Sequence, residues 1–231
     1  MTTLDATGLA VATCPEELKD VVASELRALG ATDVEPAYRA VLFRASPAVF
    51  YRAHLELRVA SRILRAVARV PARSLDELFQ HARALPWPDY FRVEHGFLVD
   101  GIAGGHDARR MGPGEVARCV GQAIRECFTA AVGRAPRVEL AEPKAVVVAF
   151  VRDGECLLSF DTTGRALHKR GYRGPGHPAP LKETLAAALL ALAGYDGKEP
   201  LVDPMCGSGT IAIEAAMIAY HKAPQIHRKK G

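Results

Sequence analysis

Residues 203–210 read Asp-Pro-Met-Cys-Gly-Ser-Gly-Thr, a carboxylate followed by small side chains and two glycines, directly ahead of an apolar run. Small residues let the backbone turn tightly, and the N–H groups that open the next helix then point toward a ligand. The segment therefore predicts a strand that ends at Val202, a ligand-binding turn and a helix.

The residue types in this turn restrict its ligand. Residues 207–212 fit the loose G-x-G-x-x-A dinucleotide pattern, but no Lys-Ser/Thr pair follows the glycines as a phosphate-binding P-loop requires. Asp203 would repel a pyrophosphate and attract an ammonium group. The turn therefore favours a cofactor with an ammonium and no phosphate, such as S-adenosylmethionine, over the nucleotide of a dehydrogenase.

A second chemical feature is the basic, glycine- and proline-rich segment 162–180, which contains no carboxylate. One interpretation is a solvated hinge over residues 166–180. The other is an RNA contact, because an aromatic ring such as Tyr172 can stack a base while neighbouring arginines hold phosphates. On this interpretation the RNA-binding residues are Arg165, His168, Lys169, Arg170 and Arg173.

The elements that would position these residues follow from local signals. Ser46 is predicted to cap a helix, with Pro47 in its first turn. Ser74 and Glu77 have the spacing of a capping box. Asp153-Gly154 joins two β-rich runs as a hairpin turn. An apolar stripe over residues 114–133 predicts an amphipathic helix. Together these alternating signals predict an α/β fold.

Composition excludes several classes of protein. With 49% hydrophobic residues, the chain can form ordinary globular cores. Its five cysteines form no C-x-x-C pair and no zinc-like cluster, so we expect no metal site and a reducing cytoplasm. No stretch of about 18 apolar residues occurs, so we expect no membrane partner. A net charge of +4 is weak support for a polyanionic partner.

Three motifs in order carry a resemblance to a known family: LHKRGYR, APLKETLAAALL and DPMCGSGTIAIEAAMIA. They resemble the THUMP-containing class I RNA methyltransferases, and most of all the bacterial large-subunit ribosomal RNA guanine-N2 methyltransferases. The resemblance implies a ferredoxin-like α+β region at residues 1–69 and a THUMP RNA-binding domain at residues 70–165. The basic hinge and the start of a Rossmann-like methyltransferase domain, residues 181–231, would follow.

The resemblance also implies roles for individual residues. S-adenosylmethionine would be held at its methionine end by Asp203, Pro204, Cys206, Gly207, Ser208, Gly209 and Thr210. Ribosomal RNA would be contacted in the THUMP region by Arg109, Arg110 and Lys144. Cys206 matches a cofactor-loop position rather than a nucleophile, and no residue is assigned a catalytic role.

The sequence departs from the family in one respect. The acidic residue that holds the ribose and the Asn-Pro-Pro-Tyr loop that grips the guanine have no counterpart here. We therefore expect a chain cut inside the methyltransferase domain and inactive alone, whether its gene is truncated, split or incomplete. If the gene is split, a downstream methyltransferase fragment would be its partner. The alternative is an RNA-binding THUMP module without catalysis.

Overall fold

The computed structural model describes residues 2–3, 8–173 and 181–228. The strands are β1 (Thr2–Thr3), β2 (Leu9–Thr13), β3 (Thr32–Ala37), β4 (Ala40–Arg44), β5 (Arg62–Pro71), β6 (Phe97–Ala103), β7 (Ala145–Arg152) and β8 (Glu155–Asp161). The α-helices are α1 (Lys19–Ala28), α2 (Pro47–Glu56), α3 (Leu75–Arg83), α4 (Trp87–Tyr90), α5 (Pro113–Val132), α6 (Glu183–Leu192) and α7 (Thr210–Ala219). The predicted α/β class is confirmed.

The chain forms two compact units. The flanking unit is built from residues 8–63 and from residues 163 onward, whereas the insert unit holds residues 64–162 together with β1. The predicted domain boundaries at residues 69, 165 and 180 stay a prediction. Residues 174–180 of the predicted hinge lie outside the described residues.

The flanking unit contains a small antiparallel sheet in which β4 lies between β2 and β3. Helix α2 follows β4 and begins as predicted, because the Ser46 hydroxyl accepts the N–H of Val49 at 3.4 Å and Pro47 occupies the first turn. Local capping chemistry therefore fixes where this helix starts.

The core of the flanking unit joins residues from both parts of the chain. Val22 and Leu26 of α1 and Phe43 of β4 are fully buried, and Ala187 and Ala188 of α6 belong to the same core. Helix α7 packs against α6. Helix α7, which follows the glycine turn, is thus held on α6, and one face of α6 is buried in this core.

The insert unit contains a sheet with the strand order β6-β7-β8-β5. Strand β7 is parallel to β6 and antiparallel to β8, and α5 lies in the connection between β6 and β7. Asp153 and Gly154 have φ angles of +53° and +78° between β7 and β8. Two consecutive positive φ angles are the requirement of a type I′ hairpin turn, so the predicted hairpin is confirmed.

Helices pack closely on this sheet. A Cβ atom placed on Gly101 of β6 would lie 2.1 Å from the carbonyl oxygen of Pro113 in α5, so only glycine fits there. The indole N–H of Trp87 donates to the carbonyl of Ala82 at 2.7 Å. The largest fully buried apolar side chains of this core are those of Trp87, Phe97, Phe128, Leu78, Leu85, Ile124 and Leu158.

The prediction of a strand that ends at Val202 is wrong. Residues 199–203 form no strand, and Val202 is 85% exposed. A strand needs a neighbour to satisfy its N–H and C=O groups, and no described residue pairs with this segment. The glycine turn is therefore reached through irregular backbone.

Candidate functional site

Residues 203–209 turn the chain into α7. The carboxylate of Asp203 accepts the N–H of Met205 at 3.2 Å, and the N–H of Gly209 donates to the carbonyl of Cys206 at 2.7 Å. Gly207 and Gly209 have φ angles of +53° and +75°, which residues with a Cβ rarely adopt. A Cβ on Gly207 would meet no atom within 4 Å, so conformation rather than space requires glycine there.

The turn presents its residues to solvent. Met205 is 90% exposed, and Pro204, Cys206 and Gly207 are exposed as well. The opening N–H groups of α7 favour a negatively charged group, whereas the carboxylate of Asp203 favours a positive one. This pair of preferences suits a small zwitterion that carries both a carboxylate and an ammonium.

Thr210 differs from the rest of the turn because it is buried, with 4% exposure. Its hydroxyl accepts a hydrogen bond from the Arg173 guanidinium at 3.1 Å and lies 3.1 Å from the hydroxyl of Ser208. Arg173 also donates to the carbonyl of Leu181 at 2.7 Å and lies 3.6 Å from the carboxylate of Glu183. The basic segment therefore contacts the first residue of α7 directly.

One turn further along α7, Glu214 forms a buried ion pair with Arg170, and both side chains are fully buried. The pair is bidentate, with N···O distances of 3.1 and 3.2 Å. Arg170 also donates to the carbonyls of Leu167 at 3.1 Å and Arg58 at 2.6 Å. The RNA contact predicted for Arg170 is therefore wrong, because a phosphate cannot reach a guanidinium that is buried among these acceptors.

Tyr172 belongs to the same buried group. Its hydroxyl donates to Glu214 at 3.0 Å, and burial together with the nearby carboxylate raises its pKa. The hydrogen bond to Glu214 holds the Tyr172 side chain within the flanking unit. The base-stacking role that the sequence suggested for Tyr172 therefore has no support in the structure.

Two more charged residues extend this group. Arg58 donates to the carbonyl of Lys222 at 2.8 Å, and burial lowers the pKa of Arg58. Glu25 accepts the backbone N–H groups of Arg58 and Val59, each at 3.2 Å, and burial raises the pKa of Glu25 to about 7. Residues from the first part of the chain thus contact the segment that follows α7.

The remaining basic residues of the segment are more accessible. Arg165 and Lys169 are exposed, whereas His168 is partly buried. Burial, followed by the nearby charges of Lys182 and Lys169, lowers the pKa of His168. This shift disfavours the charged form of His168, the form that would pair with a phosphate.

The three residues predicted to bind RNA in the insert unit do not lie together. Arg109 and Arg110 are exposed beyond the carboxyl end of β6, whereas Lys144 is exposed just before β7 begins. Because β6 and β7 are parallel and Phe97 pairs with Ala145, Lys144 lies at the opposite end of the strands. Seven residues of strand separate the two positions by roughly 20 Å.

Other kinds of site are not observed in the described part of the chain. Within it, no cluster of three or more His, Cys, Asp or Glu side chains is arranged to hold a metal ion. No described helix has both the length and the apolar character needed to cross a bilayer.

Three family models match consecutive parts of the chain. The RlmL ferredoxin-like domain matches residues 10–64, the THUMP domain matches residues 72–161, and the RMKL-like methyltransferase domain matches residues 170–231. Their order is the one that the sequence motifs predict. The resemblance to the THUMP-containing class I RNA methyltransferases is thereby confirmed.

Relatives and solved structures agree with this resemblance. The ribosomal RNA large subunit methyltransferase K/L of Aliivibrio salmonicida is 39% identical over 213 residues, 92% of this chain and 30% of that relative. A Listeria monocytogenes protein predicted to be an N6-adenine-specific DNA methylase has a TM-score of 0.84 and 34% identity, covering 99% of this chain and 60% of that one.

A further solved structure, named as a methyltransferase complexed with SAH, has a TM-score of 0.82 and 34% identity, with 99% of this chain and 59% of that one covered. The chain spans about 30% of the length of the first curated relatives that it matches. The family resemblance drawn from the motifs is confirmed, and the roles of individual residues stay predictions.

Sequence reasoning missed the buried charges of the flanking unit. Glu214 is the only charged residue in α7, which otherwise consists of apolar residues and one threonine. A lone carboxylate in such a helix indicates a buried partner, since an isolated charge is too costly to bury. That signal predicts a pair for Glu214, whereas no sequence signal identifies Glu25 or Arg58.

Proposed function

We propose that this chain forms the cofactor loop and part of the RNA-binding surface of an S-adenosylmethionine-dependent methyltransferase. Its substrate is the exocyclic N2 amine of a guanine in large-subunit ribosomal RNA, and it acts in the cytoplasm. The RMKL-like match over residues 170–231 and the THUMP match over residues 72–161 support the proposal. So do the names of the curated relatives and the bound SAH of a solved neighbour.

The observation that carries the cofactor assignment is the exposed glycine turn that leads into α7. The methionine end of S-adenosylmethionine carries an ammonium and a carboxylate, the two groups that this turn suits. Asp203 pairs with the ammonium, and the opening N–H groups of α7 receive the carboxylate. S-adenosylmethionine supplies an electrophilic methyl group on its sulfonium, and the turn contributes alignment of that group with the amine.

The RNA assignment rests on exposed cations. Arg165 and Lys169 remain available in the flanking unit, and Arg109 and Arg110 lie together in the insert unit. Such contacts bind phosphates and follow the shape of the RNA rather than its sequence. Lys144 contacts RNA at a separate point.

Isothermal titration of the chain with SAH, S-adenosylmethionine and NAD tests the cofactor assignment. The Asp203→Asn variant keeps an acceptor for the Met205 N–H and removes the charge, so affinity for SAH falls about tenfold. Asp196→Asn is the matched control, because Asp196 is an exposed carboxylate whose recorded partner is Lys198. Equal binding of SAH by Asp203→Asn and the unchanged chain contradicts the assignment, and preferential binding of NAD restores the dehydrogenase alternative.

A salt titration of binding to a ribosomal RNA stem tests the RNA assignment. Each phosphate contact contributes about 0.9 to the slope of log K against log salt on a duplex, so Arg165→Ala/Lys169→Ala lowers the slope by roughly 2. Arg52→Ala serves as the control, because Arg52 pairs with Glu56 on α2. An unchanged slope in the double variant returns the segment to a solvated hinge. RNA binding without any SAH binding favours the alternative of an RNA-binding module.

A further inference from the structure

Arg173 lies between the two helices of the candidate cofactor region. One nitrogen of its guanidinium, Nη2, donates to the carbonyl of Leu181, just before α6, and to the hydroxyl of Thr210, the first residue of α7. The same nitrogen lies 3.6 Å from the carboxylate of Glu183, a side chain that is 4% exposed. One side chain therefore connects the start of α6 to the start of α7.

Thr210 gives this contact a route into the glycine turn. Its hydroxyl lies 3.1 Å from that of Ser208, which stands between the two glycines of positive φ. Glycines leave a loop with many accessible conformations, so the conformation of this turn depends on what its ends are attached to. Arg173 holds the end of the turn at Thr210, where α7 and its cofactor-binding N–H groups begin.

Arg173 and Arg170 contact the same helix, α7. Thr210 and Glu214 are four residues apart and therefore lie on the same face of α7. Arg173 contacts the first of them and Arg170 the second. The segment 170–173 thus contacts one face of α7 over its first turn, and Arg173 contacts the residue adjacent to the glycine turn.

We propose that Arg173 is a positioning residue for the cofactor loop, rather than an RNA contact: through the Thr210 hydroxyl it sets the orientation of the first turn of α7 and of Ser208. The role rests on the proposed function, since the ligand of the loop is S-adenosylmethionine. It also replaces the RNA contact that the sequence suggested for Arg173, because the side chain is only 26% exposed and is already committed to three oxygen atoms.

Hydrogen exchange without ligand provides the first test. Arg173→Ala is expected to speed exchange of the amides of residues 208–213 about tenfold, as expected for loss of a hydrogen bond from a charged donor. Thr210→Val, which removes the acceptor while keeping the shape, has the same effect, and Arg173→Lys recovers part of the protection. Arg52→Ala is the control and leaves these amides unchanged. Unchanged exchange at residues 208–213 in both Arg173→Ala and Thr210→Val overturns the proposal.

SAH affinity provides the second test, measured at a temperature where every variant is folded. Arg173→Ala and Thr210→Val each weaken binding about tenfold, and the double variant weakens it no further, because both changes remove one contact. A purely structural role predicts lower thermal stability with unchanged affinity and no recovery by lysine, which overturns the proposal. If the unchanged chain does not bind SAH, the proposed function fails, while the exchange experiment still decides whether Arg173 orders the turn.

Discussion

Replacing Arg170 by methionine is expected to destabilise α7 by about 3 kcal/mol. The change removes four hydrogen bonds: two to Glu214 and one each to the carbonyls of Leu167 and Arg58. It also leaves the carboxylate of Glu214, which is fully buried, with the hydroxyl of Tyr172 as its recorded donor. Breaking a buried pair in this way costs about 3–5 kcal/mol, and the remaining Tyr172 bond favours the lower value.

Hydrogen exchange followed by mass spectrometry at pH 7 measures this effect locally. A loss of 3 kcal/mol corresponds to a roughly 100-fold increase in the opening of α7, seen as faster exchange of its amides. The amides of α5 in the insert unit provide an internal reference within the same sample. They are expected to exchange at the same rate in the variant and the unchanged chain.

Two further variants make the result specific. Arg52→Met breaks an exposed pair with Glu56 and is expected to change little, because solvent screens such pairs. Arg170→Met combined with Glu214→Leu removes both buried charges and recovers part of the lost stability, although Arg58 then loses the nearby negative charge of Glu214 and keeps that of Glu25. If Arg170→Met leaves exchange in α7 as unaffected as Arg52→Met does, the buried pair does not stabilise this helix.

Three other changes test the packing and the charges of the fold. Because the pKa of Glu25 is raised to about 7 from an ordinary 4.5, the folded chain holds a proton that the unfolded chain has lost, so stability falls as pH rises from about 5 to 7. Measured by urea unfolding, the free energy of unfolding falls by at most about 3 kcal/mol over this pH range, since Glu25 keeps some exposure. The Glu25→Gln variant is expected to show no such fall. If its free energy of unfolding depends on pH as that of the unchanged chain does, the assignment to Glu25 is wrong. Gly101→Ala lowers the melting temperature by forcing β6 away from α5, whereas Gly114→Ala, where a Cβ meets no atom within 4 Å, raises it slightly; equal effects of the two would refute the steric argument. Trp87→Phe loses the indole hydrogen bond to Ala82 and costs about 1–3 kcal/mol in urea unfolding, and a neutral result would show that this bond contributes nothing net.

Short-range signals predict the local structure well. The cap at Ser46 and the turn at Asp153-Gly154 depend on interactions within four residues, and the structure contains both. The apolar stripe of α5 is likewise visible in the sequence, because its buried positions recur with the helical period. These features fix which segments form helices and strands.

Long-range partners decide what the sequence could not predict. Arg170 reads as a basic loop residue, yet it is buried by Glu214, 44 residues away, and by Arg58, 112 residues away. The sequence around Val202 predicts the end of a strand, but a strand forms only where a neighbouring strand can pair with its backbone N–H and C=O groups. Neither outcome is encoded within a short window, so motif reasoning placed both residues incorrectly.

The nested arrangement of the two units has a consequence for the chain as it leaves the ribosome. The insert unit holds all its residues once residue 162 has emerged, whereas the flanking unit still lacks Leu167, Ala187 and Ala188 of its core. At about 5–20 residues per second, residues 163–228 take roughly 3–13 s to synthesise. During those seconds Leu26 and Phe43 have an incomplete apolar surrounding. The earliest part of this protein to be made is therefore among the last to finish folding, and it is the part that a nascent-chain chaperone would have most reason to cover.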